Sequence, residues 1–458
     1  MLAADETSSS ARYADPDWAW AVYTPDKDRP WNLALAAHLH RRAGFGAAWA
    51  QLQQSLSDGP QRAIDRLLSG DAETPAFNQA MDEAEDAAAQ SNSVDSLRAW
   101  WLRRMLQSPR PLVERMTLFW HGHFGVNYSR VQSAPLMHRH LALLRSQAMG
   151  RYDALLTAIV QDPAVLVAFE GAANHRGMPS RNFAAAVLGP LTLGEGRCSS
   201  ADLAEAARAF TGQFVQHEKF RFVAREHDPG QKTILGETGN WNAADVARIV
   251  LRQPALPRRI VGKLYRWLIS ETESPADGLL APLADVFAKT YDIGRLVETM
   301  LRSNLFFSPA AYCQRVKSPV EFALGILVGL DTLVATQPLG QQLGGLGQEL
   351  CQPPTMHGWE GGRAWITRAS LLARDNLAHA ILFGQEPFKE PMDLPAVAEK
   401  HGKRGEAAAR FLIDLFLPGE VGDAAAGQLL RAAGQGDLPT RLLRLAHAVV
   451  TLPEFQLS

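Results

Sequence analysis

Along most of the chain, apolar residues return every three or four positions, the period of a helix with one buried face. In "SVDSLRAWWLRRML" these positions are Leu97, Trp100, Trp101, Leu102 and Met105, and Ser93 or Asp95 stands where a capping side chain is needed. "CSSADLAEAARAF" and "NAADVARIVL" follow the same grammar. Ser199 with Asp202, and Asn242 with Asp245, sit three apart ahead of an apolar run, so each pair predicts a helix start. "RRIVGKLYRWLI", with Ile260, Leu264, Trp267 and Leu268, and "IGRLVETMLRS", with Ile293, Leu296 and Met300, continue the pattern. Strand alternation is nowhere sustained over several strands. One short hairpin is expected in "KFRFVAREHDPGQKTILG", where Phe220, Phe222 and Ile234 alternate with polar residues. The pattern predicts a mainly α fold, a large multi-helix globular domain with one small β-hairpin.

Shifts in composition suggest an organisation. Residues 1–30 read as a polar, mobile N-terminal tail, 31–70 as a small helical unit, and 71–94 as an acidic, Ala-rich loop or linker. Residues 95–380 form the main helical body, interrupted by irregular sequence at Gln337–Pro354, and 381–458 return to helices that pack on it. No internal repeat of fixed period supports a solenoid.

Composition narrows the function classes. The chain has 458 residues, 47% hydrophobic and 21% charged, enough for one large core. A formal charge of -2 supplies no global attraction to nucleic acid or an anionic membrane. Three widely spaced cysteines, Cys198, Cys313 and Cys351, exclude a disulfide framework and a zinc-knuckle pattern. The most apolar stretch, Phe322 to Ala335, is interrupted by Asp331 and is shorter than the roughly 18 residues of a membrane span. The first residues lack the basic start and apolar core of a signal peptide.

Candidate chemistry is sparse. Gly344, Gly345 and Gly347 do not fit phosphate-binding loops, and neither a nucleophile elbow around serine nor "HExxH" occurs. Three histidine pairs have one residue between them: His38 and His40, His121 and His123, His138 and His140. Helix positions two apart point about 200° apart, so such a pair shares a metal only where the helix ends. "FWHGHF" is the candidate, because Gly122 is placed to end a helix begun near Pro111 and turn both rings one way. The alternative is a pair of satisfied structural histidines. His227, Asp228 and Lys232 cluster in a turn-rich loop, read either as presented functional groups or as a tight Asp-Pro-Gly turn with Asp228 bonding its own backbone. Trp359 and Trp365 in "HGWEGGRAWI" read either as a sugar-stacking platform for a ligand or as core packing.

"HLHRRAGFGA", "FWHGHF", "LTLGEG" with "ADLAEAARAFTG", "HDPGQKTILGETGNW", "KLYRWLIS", "VKSPVEF" and "QPPTMHGWEGGRAWITRASLLAR" occur in that order, from about Trp31 to about Ala380. Together they resemble the bacterial family catalogued as domain of unknown function 1800. The resemblance implies a mostly helical protein, often exported, often encoded beside a sulfatase-like protein, with no established reaction. The chain departs from the usual "ENFARELLELFTLG" segment. The three acid positions hold Arg181, Ala186 and Gly189, a usual arginine is Ala185, Pro190 should stop the helix early, and Gln213 replaces a tryptophan.

Two readings follow. In one, the protein is a non-catalytic binding or scaffold member that holds a partner protein, for example the sulfatase-like one, or an envelope polymer such as a polysaccharide. In the other, it is a metal-assisted hydrolase in which His121, His123, His227 and Asp228 converge on a divalent metal and replace the lost acids. "FWHGHF" is expected to end a helix, with one histidine turned inward and the other toward a polar pocket shared with the "HDPG" loop.

Overall fold

A computed structural model of the protein describes residues 12–70, 74–272, 275–419 and 421–458. It is mainly helical. The expected starts hold: Ser93 caps Val94–Gln107, and full capping boxes open Ser200–Ala209 with Ser199 and Asp202, and Ala243–Leu251 with Asn242 and Asp245. Each such cap is worth about 1 kcal/mol, because it satisfies backbone N–H groups that the first helical turn leaves without partners.

The strands differ from expectation. Phe220 and Phe222 lie in β2 (Lys219–Phe222), which pairs antiparallel with β1 (Gln213–Gln216). Ile234 belongs to a second hairpin, β3 (Lys232–Ile234) with β4 (Glu237–Gly239). The alternation was real, but its partners lay on either side of the Asp-Pro-Gly turn.

One buried apolar cluster runs from Ala19 to Phe455, so the N-terminal unit, the body and the C-terminal helices share a core. Val94–Gln107 packs on Thr336–Gly345 and Pro75–Ser91, and Ala255–Leu268 on Asp277–Thr290. Toward the C-terminus, Leu438–Val450 lies between Glu406–Phe416 and Arg368–Phe383. Two segment expectations are corrected. Within 71–94, residues 75–91 form a helix capped by Thr74 rather than a loop. Residues 1–11 of the expected tail lie outside the described residues, but Tyr23 is fully buried and its N–H donates to the Arg302 carbonyl at 2.7 Å, so this part is docked. No described helix is long and apolar enough to cross a membrane.

Two helices and a strap frame the region of interest. Pro111–Phe124 runs through "FWHGHF" and ends at Gly125, whose φ of 59° is the left-handed conformation that glycine adopts without strain. Gly122 therefore lies inside the helix, contrary to expectation. The irregular segment around Gly358 crosses it so closely that a Cβ on Gly358 would fall onto the Gly122 carbonyl oxygen. A Cβ on Gly125 would lie 2.6 Å from the Met356 carbonyl oxygen.

Candidate functional site

Because the helix continues through Gly122, His121 and His123 point apart. His121 is fully buried, with Trp101 edge-on at 5.3 Å between centroids and Trp359 at 5.6 Å. Burial, and then the nearby His140, push its pKa down to about 3. His123 faces the other way. Its Nε2 lies 3.1 Å from the Leu191 carbonyl, which only accepts, so Nε2 carries the proton and Nδ1 is left as an acceptor. Lys263 Nζ donates to that Nδ1 at 2.9 Å.

The Leu191 carbonyl is available because of the sequence departure at Pro190. Arg181–Leu188 ends where proline was expected to stop it, and the chain continues as a single π turn, Gly189–Leu193, closed by Gly194 N–H on the Gly189 carbonyl at 2.8 Å. A π turn and a proline leave carbonyls without helical donors. Here Arg259 Nη2 donates to the Pro190 carbonyl at 3.1 Å and His123 to that of Leu191.

Arg259, Lys263 and Arg266 form an i, i+4, i+7 stripe on Ala255–Leu268, opposite its buried Leu256, Ile260, Leu264 and Leu268. The stripe borders a cleft of about 620 Å³ that also has Phe119, His123, Trp267, Trp359 and Trp365 in its wall. Burial, then the charge of Arg259, lower the Lys263 pKa to about 7. Among the described residues Lys263 forms no ion pair, and the imidazole is its hydrogen-bond partner. Glu271, also in the wall, is neutralised by the Val316 N–H at 2.6 Å and Arg315 at 3.6 Å, while Glu360 is exposed. Behind Trp267 lies more positive charge. The guanidinium carbons of Arg115 and Arg315 stand 4.3 and 4.8 Å from its ring centroid, with Glu321 bonded to both arginines and Arg42 near them.

The expected metal set is not assembled. His227 Nδ1 donates to the Thr211 carbonyl at 2.9 Å. Asp228 is paired with Arg208 at 2.7 Å, which holds its carboxyl down at about 2, and it accepts from the Gly230 N–H at 2.8 Å, the Asp-Pro-Gly turn of the structural reading. Lys232 is buried and donates to the carbonyls of Asp228 and Gly230 at 2.6 and 2.8 Å. These three residues stabilise their own loop. The pocket next to His123 is formed by the lysine stripe and not by the "HDPG" loop. Among the described residues no three His, Cys, Asp or Glu side chains are placed to hold a metal ion. The other histidine pairs are structural too: His38 meets the Phe306 carbonyl, His40 meets Ser55, His138 pairs with Glu85, and His140 lies 3.5 Å from Asp162.

Positions where the resemblance led us to expect acids do face solvent-accessible space. Ala186 and Gly189, with Ala185 and Pro190, line a second cleft of about 790 Å³. Its carboxylates are already engaged: Glu170 accepts from Asn182 at 2.6 Å, and Glu195 meets His357 at 3.0 Å. No carboxylate ring replaces the missing acids. Arg181 turns away to Ser200, and Gln213 is buried with its amide donating to the Val160 carbonyl.

The stripe was missed in the sequence because "RRIVGKLYRWLI" was read for its apolar face, and basic residues opposite such a face normally mean solvent. A lysine in a chain where only nine of 46 basic residues are lysine was the available signal. Comparison with known proteins finds no match among curated proteins or solved structures. A family model described as "Protein of unknown function (DUF1800)" matches residues 38–457. That match covers nearly the whole length, and the chain belongs to this family.

Proposed function

We propose that the protein is a binding component whose 620 Å³ cleft holds an anionic sugar unit of a polysaccharide. One observation carries the reading: Lys263 stands in an aromatic wall with an imidazole, not a carboxylate, as its partner. A buried cation without a counter-charge is costly, and an anionic ligand supplies that charge. Arg259 and Arg266 flank it on the same helix face, and the faces of Trp359, Trp267 and Trp365 suit the apolar side of a sugar ring. The notion of a converging histidine–aspartate metal site has no support in the side-chain placement.

The test is titration of the full chain with oligogalacturonate and with a neutral oligosaccharide of equal length, followed by tryptophan fluorescence. Oligogalacturonate should bind, and the neutral sugar should bind about tenfold or more weakly, as loss of one charge-assisted contact implies. Equal binding of both, or of neither, refutes the reading.

A further inference from the structure

Three buried or half-buried lysines can be compared. Lys232 gives its ammonium to backbone carbonyls, and Lys317 Nζ lies 3.5 Å from the Phe455 ring centroid. Both are structural. Lys263 differs because Nζ borders a cleft that a small organic molecule can enter. Its hydrogen bond runs to Nδ1 of His123, a nitrogen that is an acceptor because Nε2–H is committed to the Leu191 carbonyl. One N–H of the amine is thereby fixed on the imidazole, and the remaining valences of Nζ face the cleft.

We infer that Lys263 is a carbonyl-binding nucleophile, forming an imine with a ligand that bears an aldehyde or ketone beside its anionic group. The anionic half of this statement rests on the reading proposed above, whereas the imine does not. The lone pair of the neutral amine adds to the carbonyl carbon, forming a C–N bond while the carbonyl oxygen takes up one N–H proton. The second N–H proton leaves as the C–O bond breaks, so the oxygen departs as water carrying both protons, and C=N remains. No oxidant or reductant is needed. His123 is the positioning residue, aligning the amine through Nδ1. The reaction requires a free amine near neutral pH, which burial and the adjacent Arg259 favour. The other charged groups of the wall are Arg266, Arg315 with Glu271, Glu360, and His357 with Glu195.

The experiment treats the full chain with glyoxylate and cyanoborohydride, then maps the carboxymethyl groups by peptide mass spectrometry. Lys263 should be labelled about tenfold or more faster than any other lysine, with a rate that rises through about pH 7, because its free-amine fraction there far exceeds that of an ordinary lysine. Lys263→Arg should remove that label alone, and His123→Gln should move the pH midpoint of labelling, which a purely structural histidine would not do. Label confined to exposed lysines with Lys263 unmodified overturns the imine. If the same preparation still binds oligogalacturonate, the binding reading survives that failure. Labelling of Lys263 as fast by neutral propanal as by glyoxylate would support the nucleophile and overturn the anionic ligand.

Discussion

His121→Leu offers a sharp test of the aromatic enclosure, because it keeps volume between Trp101 and Trp359 while removing a titrating ring. The ordinary histidine pKa is 6.5 and that of His121 is about 3, so the folded state binds the proton less well than the unfolded one. Stability is full above 6.5 and is lost as pH falls from there toward 3. One pKa unit corresponds to about 1.4 kcal/mol, so the roughly 1.5 units between 6.5 and pH 5 remove about 2 kcal/mol through this ring. Parent and variant should differ by under about 1.5 kcal/mol at pH 7.5, as for volume-conserving swaps. On moving to pH 5 the variant should lose about 2 kcal/mol less than the parent. Urea unfolding followed by far-UV circular dichroism at both pH values measures this, with the remaining buried histidines contributing equally to each protein. If both proteins lose the same stability between the two pH values, the depressed pKa and the enclosure argument are wrong.

Gly358→Ala should destabilise by about 3 kcal/mol, since the added methyl falls onto the Gly122 carbonyl and the residue has φ +84°; thermal melts measure it, and an unchanged melting temperature would rule out the close crossing. Glu321→Gln leaves Arg115 and Arg315 without their shared counter-charge and should cost about 3–5 kcal/mol in denaturant titration. Oligogalacturonate affinity should weaken as pH rises through about 7, because Lys263 then loses its charge, and Lys263→Met should flatten that dependence without lowering the melting temperature. Raising salt from about 0.05 to 0.5 M should weaken binding in the parent more than in this variant.

Much of the fold was legible because caps and apolar periodicity are local: Ser199, Asp202, Asn242 and Asp245 do what their spacing announces. Gly122 was misread for a physical reason. Glycine ends helices when it supplies a positive φ, but here Gly125 does so, and Gly122 lies beneath the close crossing of Gly358, a contact no local pattern encodes. Pro190 was read correctly as a stop. Its consequence was not legible, because the freed carbonyls find Arg259 and His123 only in three dimensions. The histidine, aspartate and lysine of the "HDPG" loop looked functional from residue type alone, yet their partners, Arg208, Thr211 and neighbouring carbonyls, account for their polar atoms.

The crossing of Gly358 over Gly122 also bears on when the cleft comes into being during folding. Lys263 is 140 residues from His123, and His357 is 162 from Glu195, so the walls meet only through contacts of high sequence separation. Such contacts close late, after the chain entropy of long loops has been overcome. The cleft should mature after the local helices, and a fragment lacking either partner segment should keep helicity yet have no cleft. Reactivity at Lys263 would then report completed folding more faithfully than helical signal does.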